Sequence, residues 1–132
     1  MRFARIIFSV AGIWGILILP PLYLMEQRIG RNSPPAITHP EYFYGFIGVA
    51  LAFQIVFLIV GRDPVRYRPI MIPSMVEKFS FAIACSILFN AHRIPNQMFA
   101  ASMIDLLFGI LFVAAYIRTS SSSSVRRASA AT

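Results

Sequence analysis

Charge is what this chain has least of. Only 13% of its 132 residues are Asp, Glu, Lys or Arg, about half the share found in an average soluble domain. Cysteine is nearly absent as well: the lone Cys85 excludes an intrachain disulfide and reads as a small apolar filler. No G-x-S-x-G, Walker A, H-E-x-x-H or C-x-x-C occurs, so no catalytic residue, metal or cofactor is assigned. What is abundant is apolar. The hydrophobic share is 58%, with 12 Phe and a mean hydropathy of +0.70, which names lipid as the solvent. The net charge of +7 raises nucleic acid as a partner. That partner is rejected, because the basic residues sit at the ends of apolar runs and no nucleic-acid-binding signature is present.

A membrane helix needs about 20 mostly apolar residues. Four stretches meet or approach that length, at 6–25, 42–60, 70–90 and 97–117. Pro20-Pro21 is expected to kink or end the first helix. Gly61-Arg62-Asp63-Pro64 closes the second, and Arg93-Ile94-Pro95-Asn96 turns the third into the fourth. The first run also has the basic start of a signal peptide, but only I-L-P-P-L-Y follows it, without an A-x-A-like site. It is therefore expected to stay as a span. The fold class that follows is all-α: one domain over 1–118, an antiparallel bundle of four transmembrane helices. The remainder, 119–132, is a serine-rich stretch with little to bury, expected as a structureless tail whose Arg126 and Arg127 touch anionic lipid.

With four spans, both termini and the second loop share one side. Arg2, Arg5, Arg62, Arg66, Arg68, Arg118, Arg126 and Arg127 fall there, against Arg28, Arg31 and Arg93 opposite. The positive-inside rule then puts both termini in the cytoplasm, and a bacterial inner membrane is the expected location. Gly12, Gly15, Gly45, Gly48, Ala52, Ala101, Ser102 and Gly109 are the small residues that would let helices approach closely.

Few polar side chains interrupt the spans, and they are the candidate site. Asp105 is the ninth residue of the fourth span, roughly 12 Å deep at 1.5 Å per residue. A carboxylate there costs about 2.5–3.5 kcal/mol to insert, so it is expected to face the bundle interior, protonated or hydrogen-bonded. Glu77 has two readings. Ser74 and Glu77 form S-x-x-E, a capping box for a helix starting near Met75. A helix starting near Ile70 instead leaves Glu77 roughly 10 Å deep. Lys78 is expected to snorkel to the cytoplasmic interface in either case. Gln54, roughly 9 Å from the same face, is at the right depth to bond Glu77 across helices, with Ser80 or Ser102 linking both to Asp105. Such a string serves either as a pathway or as interhelical glue. At the outer face His39 and Glu41 precede the second span, His92 lies in the last loop, and Tyr42 and Tyr44 fit an aromatic belt. The three polar ones are outer-face candidates, with no metal assigned.

The stretch F-I-G-V-A-L-A-F-Q-I-V-F-L-I-V, with R-Y-R-P-I-M-I-P-S-M after it, resembles the EXPERA-type four-helix membrane proteins, which include sterol isomerases. Phe53 and Gln54 match their phenylalanine-glutamine pair, and a basic loop leads here too into a proline-bearing third helix. The acidic residue they carry just before that pair is missing, since Val49, Ala50, Leu51 and Ala52 are all apolar. The resemblance thus implies an architecture and a hydrophobic-ligand cavity rather than an activity. The general plan is also similar to small DoxX-like membrane proteins.

Two functions follow. The leading expectation is a structural or accessory subunit of a larger membrane assembly, with membrane lipids and other subunits or further copies of itself as partners. The alternative is a sterol- or lipid-like ligand binder, or an isomerase-like protein, with Asp105 and Glu77 lining an intramembrane cavity.

Overall fold

In the computed structural model the backbone is described for residues 1–129 and the side chains for residues 1–119. The chain is helical, with no strand among the described residues. α1 is Arg2–Leu22, α2 Glu26–Asn32, α3 Pro40–Arg62, α4 Met71–Asn90 and α5 Asn96–Ser129, and a 3-10 turn at Arg68–Ile70 leads into α4. Four segments are long and apolar enough to cross a membrane: Arg2–Leu22, Pro40–Arg62, Arg68–Asn90 and Asn96–Thr119. These are the four expected spans with slightly different ends. The helical backbone of α5 continues to Ser129, through most of the segment expected as a tail. The side chains of that segment beyond Thr119, Arg126 and Arg127 among them, lie outside the described residues.

The prolines account for the ends. Pro20 and Pro21 occupy the last turn of α1, and the helix stops at Leu22, with the Tyr23 N–H donating to the Pro20 carbonyl over 3.1 Å. They terminate the helix rather than kink its middle. Pro40 opens α3, where its missing N–H would have no partner in any case. Pro69 and Pro73 sit in the first turns of the Arg68–Asn90 segment for the same reason. α2, unforeseen in the sequence, is a short charged helix tied down by Glu26, whose Oε2 accepts from the Tyr44 hydroxyl at 2.6 Å.

The four spans pack as two pairs. α1 lies along α3 and α4 along α5, and the pairs meet chiefly through α1 and α5. Glycines set the α1–α3 spacing. A Cβ on Gly12 would come within 2.8 Å of the Gln54 carbonyl oxygen, and one on Gly61 within 2.6 Å of the Ser9 hydroxyl. Gly109 similarly receives the Phe79 ring between α5 and α4. Gly45 faces open space and plays no such part.

At the end carrying the chain termini the pairs are locked by rings. Phe8 of α1 stacks on Phe112 of α5 with centroids 4.0 Å apart, and Phe57 of α3 meets Phe112 edge-on at 5.0 Å. Ala4, Ala11, Val60, Met71 and Ala115 complete this fully packed cluster. Lipid offers no hydrophobic drive for helix association, so such van der Waals fit is what holds the pairs together.

Candidate functional site

Above the phenylalanine cluster the helices separate around a cavity of about 280 Å³. Trp14, Ile18 and Leu22 wall it from α1, Phe46 and Ala50 from α3, Phe81 from α4, and Met98, Ala101 and Ile104 from α5. Its polar atoms come from Gln54, Glu77, Lys78 and Asp105. A second groove between α3 and α4, lined by Phe46, Val49, Ala50, Glu77, Ser80 and Phe81, shares four of those walls. The cavity therefore continues sideways toward the surface between α3 and α4, the two neighbours with least mutual contact in the bundle.

The charges at its floor form one cluster. The Lys78 ammonium donates to Asp105 Oδ1 at 2.7 Å and lies 3.4 Å from Glu77 Oε2. On its other side it lies 5.2 Å from the centroid of the Phe57 ring, at the top of the packed cluster. A lysine in this position is desolvated, and removing either partner of such a pair costs several kcal/mol. Lys78 is only 5% exposed. It does not snorkel to the interface as expected, because Asp105 on the facing helix lies within reach of its extended side chain. Asp105 does face the interior, and its partner is that ammonium.

Glu77 is the deep residue of the two readings. Ser74 lies inside α4 and its hydroxyl donates to the Ile70 carbonyl at 2.8 Å, and no side chain caps the helix start. The capping box is thus not formed. With two carboxylates around one ammonium, the cluster carries one unmatched negative charge when all three are ionised. That excess falls on Glu77, whose Oε2 is buried and accepts no hydrogen bond from any described residue.

The expected polar string across helices is not assembled. Gln54, 2% exposed, turns its Nε2 back to the Ala50 carbonyl at 2.9 Å instead of to Glu77, with its side chain seated against Gly15. Ser80 donates to the Glu77 carbonyl and Ser102 to the Phe99 carbonyl, each within its own helix. A hydroxyl that bonds its own turn satisfies itself without a partner, which defeats a relay. At the end opposite the N-terminus His39 Nδ1 and Glu41 Oε1 stand 3.3 Å apart and well exposed. His92 does not join them: no group of three His, Cys, Asp or Glu suited to a metal exists among the described residues.

Reasoning on the sequence therefore found the polar members of the cavity and missed its walls. Trp14, Phe46 and Phe81 differ in no local way from the lipid-facing aromatics, and only the pairing of helices selects them. Comparison with protein-family models, curated proteins and solved structures finds no match to this chain.

Proposed function

We propose that this small polytopic membrane protein holds a lipid-like molecule between its helix pairs. The polar end of that molecule donates a hydrogen bond to Glu77, and its apolar part lies along Phe46 and Phe81 toward the bilayer. One observation carries the reading: on the wall of a largely apolar cavity stands a carboxylate in excess over the single ammonium, its Oε2 without a hydrogen bond from any described residue and held only by a 3.4 Å ion pair to Lys78. Leaving such an acceptor unsatisfied costs about 1–3 kcal/mol or more, which an occupant's donor would recover. Lys78 makes its short hydrogen bond to Asp105 and only a longer ion pair, 3.4 Å, to Glu77, so Glu77 is the carboxylate with capacity left for a ligand. The volume suits a head group with a short length of chain rather than a whole lipid. The resemblance of the second and third spans to EXPERA-type proteins fits the same reading. The arginine distribution supports placing both termini on the cytoplasmic side of a bacterial inner membrane.

Native mass spectrometry after gentle detergent extraction tests this. A small apolar molecule should copurify with the unaltered chain and be lost from Ala101→Trp, which fills the cavity, and from Glu77→Gln. Equal retention by Ala101→Trp would remove the cavity as the site. The second reading, an accessory subunit of a larger assembly, is favoured by the packed phenylalanine half, which suits a purely structural role. Copurified protein chains with no small molecule would select it.

A further inference from the structure

Among the described residues, five arginines at the end carrying the N-terminus make no ion pair with a carboxylate. Arg2 and Arg5 open α1, Arg62 closes α3, and Arg66 and Arg68 stand in the loop into α4. Among the described residues the ion pairs lie elsewhere, at His39–Glu41 and around Lys78. Asp63 is the only acidic residue in this part of the chain. Its Oδ1 is taken up by the Arg66 backbone N–H, 3.2 Å away.

Within this patch Arg68 is held in place. Its guanidinium carbon lies 3.7 Å from the centroid of the Tyr116 ring, and its Nε donates to the Tyr116 carbonyl at 3.4 Å. Stacking on one face and bonding at Nε leave the two terminal nitrogens as a fixed fork, with no acceptor among the described residues. Such a fork matches two oxygens of one phosphate, which an ammonium cannot do. Arg68 is also the first residue of its membrane-crossing segment, at the level where lipid phosphates lie. Arg66 stands beside it with its guanidinium carbon 5.6 Å from the Tyr67 ring centroid.

We propose that Arg68, seated on Tyr116, binds the phosphate of an anionic phospholipid at this end of the bundle. The site is separate from the cavity and independent of what the cavity holds. The uncompensated arginines select a net-negative head group over a zwitterionic one, each charge contributing about fivefold in affinity. The unmatched charge favours lipid over an acidic protein because it sits at the ends of the apolar segments, Arg2 and Arg68 being the first residues of theirs and Arg62 the last of its own.

The test uses the full chain in nanodiscs of equal phosphatidylglycerol and phosphatidylcholine, followed by native mass spectrometry of the lipid retained on release. The unaltered protein should retain phosphatidylglycerol in clear excess. Arg68→Gln should cut that excess about fivefold. Arg68→Lys, which keeps the charge and loses fork and stack, should leave the ratio of the two lipids near its unaltered value while the amount of phosphatidylglycerol retained falls severalfold, and Arg31→Gln at the opposite end should change neither. Equal retention of the two lipids overturns the proposal. So does an unaltered amount of retained phosphatidylglycerol in Arg68→Lys, which would mean diffuse attraction and no site. Loss of the excess in millimolar inorganic phosphate would assign the fork to a soluble anion and overturn the lipid as its ligand. If Arg68→Gln fails to fold, the Arg68→Lys and phosphate results decide.

Discussion

Toward the chain termini the bundle is closed by phenylalanine rings, while toward the opposite loops the same four helices stand apart around a cavity. The difference lies in which residue sizes face one another. In the closed half large meets small: Phe8, Phe57 and Phe112 fill the room left by Ala4, Ala11 and Ala115. In the open half Ala50 and Ala101 leave room that the rings of Trp14, Phe46 and Phe81 line without filling, and the Gln54 side chain is spent on covering Gly15. A helix pair can thus be tight along its length while the bundle stays hollow at one level. The charge cluster sits on the boundary between the halves, its ammonium 5.2 Å from the Phe57 ring centroid and its two carboxylate residues, Glu77 and Asp105, among those lining the hollow.

Substitutions can break that contrast. The largest effect belongs to the boundary: Asp105→Ala removes the hydrogen-bonded partner of the Lys78 ammonium, leaves it only the longer ion pair to Glu77, and should cost about 3 kcal/mol or more. Thermal unfolding in detergent reads this as a large fall in Tm, and Lys78→Met combined with Asp105→Leu should recover most of it. A fall no greater than that of a surface substitution would mean the pair is not desolvated. Next comes the closed half, where Phe112→Ala should cost about 3 kcal/mol. Ile104→Ala on the cavity wall should cost under about 1 kcal/mol, since the void is already there. Equal losses at the two positions would erase the distinction between the halves. Gly12→Ala should cost about 1–3 kcal/mol by forcing α1 away from the Gln54 carbonyl, whereas Gly45→Ala, facing open space, should be silent in the same assay. Smallest is Glu77→Gln, expected within about 1 kcal/mol of the unaltered protein while the bound molecule is lost. A fall in Tm as large as that of Asp105→Ala would make Glu77 a structural residue.

The bundle itself was legible because lipid enforces long apolar runs, and the spans at 6–25, 42–60, 70–90 and 97–117 lie within a few residues of the helices. Asp105 was legible as inward-facing for the same reason, since no carboxylate rests in hydrocarbon without cause. Lys78 was misread because snorkelling considers one helix alone, and a carboxylate at matching depth on the next helix outcompetes the interface. Gln54, Ser80 and Ser102 were expected to bond across helices, yet each has a carbonyl of its own helix within reach. α2 carries too few residues for a periodic pattern to show. The cavity was unreadable in detail, because a void is a property of facing pairs and no single segment contains it.

The buried ammonium of Lys78 also bears on how the chain is made. Of the four spans, α4 is the least apolar, and it carries Glu77 and Lys78 side by side. It leaves the ribosome before Asp105 does, so at that moment its ammonium has no mate on a neighbouring helix. Entering the membrane alone is then unfavourable, and waiting for α5 is not. A pair formed between α4 and α5 thus favours entry of the last two helices together as a hairpin over entry of α4 alone.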